Sequence, residues 1–275
     1  MNRRKQWWLA AVVGLAVTGI GATPANAATT SGKYLSGNVG YVRTKNAMYV
    51  GISKKTNGKY KQVKVKKNTL LAVGSTLSSD DGNGGVKTTA LFTYGVVNYK
   101  RAKTLKYKNM ATIPFTKANF KRVSLKAPIR TQIFLAGKGY TANSTNTKAA
   151  PTAGFYLTLD NYLQYYSKAA MAKDRYLFGS RWAGTTNVYK PTSSVKVSKV
   201  TVKGNTTKVD YNKALQGLPN QKLSKNHYRL TITNQQTTGS LGILPVDDTF
   251  DAIASWTNYT VNGKAYHFGE IEYGN

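Results

Sequence analysis

The chain has 275 residues, with 40 Lys and Arg against 10 Asp and Glu, a formal net charge of +30 and a pI near 10.1. It contains no cysteine, which excludes thiol nucleophiles, disulfide frameworks, Cys-ligated zinc or iron–sulfur centres and a lipidated N-terminal Cys. At 41% hydrophobic residues it can bury a core, so the charge points to a partner and not to wholesale disorder.

Arg3, Arg4 and Lys5 precede an apolar stretch from Trp7 to about Gly21, and Ala25-Asn26-Ala27 follows as a small-x-small cleavage signal. Residues 1–27 read as a secretory signal peptide. The apolar stretch falls short of the ~20 residues of a membrane span and carries Gly14, Gly19 and Gly21. Cleavage after Ala27 removes three cations and no acid, which lowers the charge from +30 to +27. Leu244-Pro245-Val246-Asp247-Asp248 begins like a Leu-Pro-x-Thr-Gly sorting motif but lacks the Thr-Gly and an apolar tail. The expectation is a secreted, extracellular protein of a Gram-positive cell, held at the wall without a covalent link and with no stable span after cleavage.

From Lys33 to Lys148 there are 23 basic residues against Asp80 and Asp81 only, whereas from Asp247 onward there are five acids and only Lys264. The partner-facing part is therefore expected in the first half. A field of that size attracts polyanions over the Debye length, ~8 Å at physiological salt. Anionic wall polymers (teichoic acid and peptidoglycan-associated polymers) are the expected partners, and nucleic acid is a second polyanion that such a surface takes up non-specifically.

The same region carries internal similarity. Tyr41-Val42-Arg43-Thr44-Lys45 aligns with Tyr99-Lys100-Arg101-Ala102-Lys103, Tyr60-Lys61-Gln62-Val63-Lys64 with Phe120-Lys121-Arg122-Val123-Ser124, and Leu91-Phe92-Thr93-Tyr94 with Phe155-Tyr156-Leu157-Thr158. After Tyr60, residues 61, 63 and 65 fall on one strand face and Tyr60, Gln62, Lys64 and Lys66 on the other. Asn57-Gly58 signals a type I′ hairpin. Asp80-Asp81-Gly82-Asn83-Gly84-Gly85 reads as a turn; Leu91 stands where a calcium loop would need a bidentate Glu. No metal or cofactor is expected.

With a signal peptide, no Cys and ~60-residue β-repeats carrying Tyr-Val-Arg-Thr-Lys-Asn-Ala (41–47) and Tyr-Lys-Gln-Val-Lys-Val (60–65), the chain resembles exported surface proteins of lactic acid bacteria. These include S-layer-type wall-binding modules and bacterial SH3-like repeats. The resemblance covers roughly residues 33–158 and implies non-covalent binding of wall polymer through cationic, aromatic β-surfaces, with no enzymatic activity.

The predicted fold is mainly β: two tandem small SH3-like or open β-barrel repeats within 28–158 (about 38–97 and 98–158), then an α+β part over 159–275. In that second part Leu159, Tyr162, Leu163, Tyr166 and Ala170 recur at helical spacing, predicting a helix over about 160–173 with Asp160 or Asn161 as cap. Short helices are predicted at 210–218 and 247–256. Strands are predicted around Val195–Val202, with a register shift at Ser198-Lys199, at Tyr228–Thr233, and at Thr257–Tyr266 with an Asn262-Gly263 hairpin.

Two catalytic alternatives use the remaining residue types. A basic nuclease would employ His227 and His267 as acid and base, and a wall-lytic hydrolase would pair carboxylates among Asp247, Asp248, Asp251, Glu270 and Glu272. Neither has a motif behind it. The favoured reading is non-enzymatic capture of wall polymer by Arg43, Lys45, Lys61, Lys64, Arg101, Lys103, Lys121 and Arg122, with Tyr41, Tyr60, Tyr99 and Phe120 meeting sugar rings or packing inside.

Overall fold

The computed structural model describes residues 32–125, 133–143, 146–149, 151–173, 190–247 and 250–273. Residues 1–27, expected from the sequence to be a signal peptide, lie outside them. The fold is mainly β, in two units joined through residues 126–132.

In the first unit β1 (Tyr41–Thr44), β4 (Leu70–Asp80), β5 (Val86–Thr93), β7 (Ile113–Pro114) and β8 (Phe120–Val123) form a five-stranded sheet in the order β7-β5-β4-β1-β8. A second sheet, β3-β2-β6, combines β2 (Met48–Thr56), β3 (Lys59–Val65) and β6 (Leu105–Tyr107). One core lies between them, with Val42, Leu71, Phe92, Phe115 and Phe120 from the first sheet side and Val50, Ile52 and Val65 from the second. The Phe92 and Phe120 rings pack 4.6 Å apart between centroids, tilted by 30°.

The segments 38–97 and 98–158 do not form two separate barrels. β7 and β8 complete the sheet of β1, β4 and β5, while β12 (Gly154–Leu157) belongs to the second unit. Tyr41–Thr44 is a strand, and the aligned Tyr99–Ala102 is a helical turn, α1, capped by the Asn98 side chain at Arg101 N. The likeness between these segments is one of composition, since Lys, Tyr and Thr alternation suits any exposed strand.

Among its described residues the second unit is mainly β, and the expected α+β character is not seen there. Its strands are β9 (Phe134–Ala136), β12, β13 (Tyr162–Tyr166), β14 (Ser193–Lys203), β15 (Thr206–Tyr211), β17 (His227–Asp247), β18 (Phe250–Val261) and β19 (Lys264–Tyr273), with a short hairpin of β10 (Ala142–Asn143) and β11 (Asn146–Ala149) and an edge strand β16 (Gln221–Ser224). Neighbours run β15-β14-β13-β12-β9-β19-β18-β17, and β15 also pairs with β17. Eight antiparallel strands thus close on themselves, a size whose interior is just filled by side chains. Phe134, Phe155, Leu163, Val209, Leu230 and Tyr259 are among those filling it.

Three predicted helices are corrected. Tyr162–Tyr166 is strand β13, paired Leu157↔Leu163 and Phe155↔Tyr165, because its aromatics can line a barrel wall at period 2; only Lys168–Lys173 is helical, as α2. Asp210 and Tyr211 end strand β15, and the residues after them form turns. Residues 250–256 belong to β18, matched to β19 by Ile253↔Glu272 and Ser255↔Glu270; Asp248 lies outside the described residues. The predicted irregularity falls between Val197 and Lys199, and both Asn-Gly hairpins form, Asn57-Gly58 at φ 49° and 79° and Asn262-Gly263 at 46° and 79°.

The two units lock through the β12–β13 turn. Asn98 N and Nδ2 donate to the Asp160 carboxylate at 2.8 and 2.5 Å, Tyr99 N donates to Gln164 Oε1 at 2.7 Å, and Leu159 N to the Val96 carbonyl at 2.8 Å. Asp160 therefore joins two units and caps no helix.

Candidate functional site

The strongest surface feature is the outer face of β3-β2-β6. The two-residue Asn57-Gly58 turn fixes the pairing Thr56↔Lys59, Lys55↔Tyr60, Lys54↔Lys61 and Ser53↔Gln62, and directly opposed residues share a face. Across β2, Ser53 pairs with Lys106 of β6. Lys55, Tyr60, Gln62, Lys64 and Lys106 consequently stand on one face. Tyr49, opposite Lys64 across the β2 irregularity, joins them.

This face is turned to solvent. Tyr49 is 53% and Tyr60 38% exposed, and the lysines are exposed throughout. Lys106 Nζ lies 4.3 Å from the Tyr60 ring centroid, a cation–π contact of about 0.5–1 kcal/mol at an exposed site. Gly51, at φ 78°, leaves room for the Lys108 stem, whose carbons would lie 3.1 Å from a Cβ there. On the opposite face Ile52 and Val65 are buried in the core. Alternation at period 2 has sorted one strand set into a core face and an aromatic–cationic face.

The residues predicted from sequence divide into three groups. Tyr60 and Lys64 belong to this face, whereas Lys61 is exposed on the opposite side, level with Lys54 and Leu105. Arg43 and Lys121 pair across β1 and β8, with Tyr41 two residues along on the same face; Arg43 Nη1 also donates to the Asn68 carbonyl at 2.8 Å. Lys45 is exposed just beyond β1. Arg122 is anchored, its Nη2 donating to the Ser36 carbonyl at 2.6 Å.

The third group lies at the junction between units. The Arg101 guanidinium stacks on Tyr94 at 4.2 Å and reaches Asp160 at 3.9 Å, and Lys103 Nζ lies 5.6 Å from the Tyr99 ring. Phe120 is no surface residue at all: 1% exposed, it packs against Phe92 and Phe115 in the core. It starts an edge strand whose first position points inward.

Sequence reading missed Tyr49, Lys55, Lys106 and Lys108. The Asn-Gly turn register gives Lys55 opposite Tyr60 by counting outward, so that residue was accessible. Lys106 was not, because β6 reaches β2 from about fifty residues away along the chain.

The catalytic alternatives meet a different geometry. His227 Nε2 is 3.8 Å from Asp210 Oδ2, beside the Arg229–Asp210 pair at 2.6 Å. The Arg229 side chain holds the Asp210 carboxyl below its ordinary range. His267 is buried elsewhere, with Nδ1 3.2 Å from the Gly137 carbonyl, and burial lowers its pKa. The register places His267 opposite Asn258, level with the irregularity between Asn234 and Thr238 of β17, so His227 lies at least seven residues away, roughly 23 Å along the strand at ~3.3 Å per residue. The two imidazoles do not share a site. Glu270 is exposed on β19, and the side chains of Asp247, Asp248, Asp251 and Glu272 lie outside the described residues.

In the Asp80–Gly85 turn the carboxylates are occupied by backbone donors: Asp80 accepts from Gly82 N at 2.5 Å, and Asp81 from Asn83 N and Gly85 N at 2.9 Å each. Those last two donors hold the Asp81 pKa down. This is turn chemistry.

Comparison with protein-family models, curated proteins and solved structures finds no match. The functional reading therefore stands on residues and geometry alone.

Proposed function

We propose that this is a secreted, non-enzymatic protein that binds anionic cell-wall polymer non-covalently through the outer face of β3-β2-β6, with the Arg43–Lys121 strip as a secondary contact. The observation that carries the reading is the co-facial set Lys55, Tyr60, Lys64 and Lys106 with Tyr49, on a chain of net charge +30. Lysines supply dispersed positive charge for phosphate groups, and the two exposed tyrosines supply flat apolar area for sugar or polyol carbons. Each exposed cation contributes little alone, so affinity comes from many weak contacts along a polymer.

The first unit is read as one open barrel of the SH3-like kind, in place of two in tandem. The leader at 1–27 supports export, and extracellular wall association follows from the charge. Titration of the chain from Ala28 with purified wall teichoic acid, and separately with uncharged peptidoglycan fragments, tests this. Saturable, salt-sensitive binding to the anionic polymer alone is expected, and equal binding to both would overturn it.

A further inference from the structure

We infer that Asn83 is a site of spontaneous deamidation, singled out by the fold from the two other Asn-Gly steps of the chain. In an Asn-Gly step the next backbone nitrogen can attack the side-chain amide, because glycine has no Cβ to obstruct the approach. The chain has three such steps, at 57–58, 83–84 and 262–263, and sequence alone ranks them equally.

Two of the three are locked. Asn57 and Asn262 are in the left-handed region, at φ 49° and 46°, within two-residue hairpin turns closed by the Thr56↔Lys59 and Val261↔Lys264 pairs. At the left-handed ψ of about +47° the following nitrogen points away from Cβ. It reaches Cγ only if the turn opens and its flanking pairs break. Asn262 is held further, its Oδ1 accepting from Thr231 N at 2.8 Å and its Nδ2 donating to the Arg229 and Pro219 carbonyls.

Asn83 has none of these restraints. The β4–β5 pairing ends at Asp80↔Val86, and the loop beyond is bracketed at its base. Asp81 N donates to the Gly85 carbonyl, and the Asp81 carboxylate accepts from Asn83 N and Gly85 N, all at 2.9 Å. This bracket leaves the Asn83 side chain and Gly84 N without a hydrogen-bond partner among the described residues. Both residues are exposed, Asn83 lies outside the positive-φ region, and nothing stands within 4 Å of where a Gly84 Cβ would be. The side chain can therefore turn onto Gly84 N without displacing a described contact.

The step needs no co-reactant except water. Gly84 N attacks Asn83 Cγ, the new N–Cγ bond closes a five-membered imide, and the Cγ–Nδ2 bond breaks. Nδ2 leaves as ammonia with the proton from Gly84 N. Water then opens the imide at Cγ to give aspartate, or at the main-chain carbonyl to give isoaspartate with the chain running through Cβ. Either product adds a carboxylate to a tip where Asp80 and Asp81 are the only acids between Lys33 and Lys148. Isoaspartate also inserts a methylene inside the Asp81 bracket and loosens its hydrogen bonds.

The inference does not depend on the wall-polymer reading. Its test is incubation of the chain from Ala28 at pH 7 and pH 9, with tryptic peptide mapping by mass spectrometry over time and a parallel sample in urea. Lysines between the three steps place them on separate peptides. In the folded chain Asn83 should convert at least tenfold faster than Asn57 or Asn262, and faster at pH 9 because the attacking nitrogen must lose its proton. In urea the three rates should converge. Asn83→Gln should abolish conversion at that position and leave the other two rates unchanged. A ratio below tenfold in the folded chain, or an unconverted Asn83 once the urea sample has converted, overturns the inference. So does a urea sample that keeps the same ratio, because sequence and not fold would then be choosing the site.

Discussion

Neutralising Lys55, Lys64 and Lys106 together, each to Gln, removes three charges from one exposed face without touching the core, since all three are exposed on the side opposite Ile52 and Val65. If each ammonium displaces counterions from a flexible polyphosphate as it does from a single nucleic-acid strand, each contributes about 0.7 to the slope of log K against log salt. The slope should then flatten by about 2, because three cations are lost. Between 50 and 200 mM salt, a fourfold range, the wild type should lose roughly twentyfold more affinity than the variant. Isothermal titration with purified teichoic acid at four salt concentrations, with circular dichroism to verify folding, measures it. An unchanged slope in a folded variant would refute the assignment of binding to this face.

Tyr60→Ala should weaken polymer binding and leave stability within about 0.5 kcal/mol, because the ring is exposed. Phe120→Ala should do the opposite, costing about 3–5 kcal/mol in urea unfolding through loss of a buried ring. Gly239→Ala places a Cβ 2.5 Å from the Trp256 indole, so a loss of about 1–3 kcal/mol and a shifted emission maximum are expected. Asp210 is paired with Arg229, and its folded pKa lies below the ordinary value of 3.8. Its contribution is complete above that value and disappears as pH falls through the lower folded pKa. Asp210→Asn should therefore cost about 2 kcal/mol at pH 7 and much less near pH 2, as read from denaturant midpoints at the two pH values.

Several elements were legible because the signal was local. The Asn57-Gly58 and Asn262-Gly263 turns both require positive φ and both form hairpins, and the Tyr60-Gln62-Lys64 alternation gave the exposed face directly. The helix over 160–173 failed because apolar residues at 159, 162, 163 and 166 fit a helical face and a barrel strand equally, and tertiary pairing with Phe155 and Val195 decided the matter. Barrel closure was not legible: it depends on β15 meeting β17 and β9 meeting β19, 130 residues apart in the second case. The choice between surface and core for Phe120 was not legible for the same reason, because the side on which an edge strand buries its first residue is set by its partner β1.

The most direct test is retention of the chain from Ala28 on purified Gram-positive cell walls before and after extraction of teichoic acid, at rising salt. Strong retention that falls on extraction and on addition of salt is the predicted result. Retention indifferent to both treatments would contradict electrostatic capture of an anionic wall polymer.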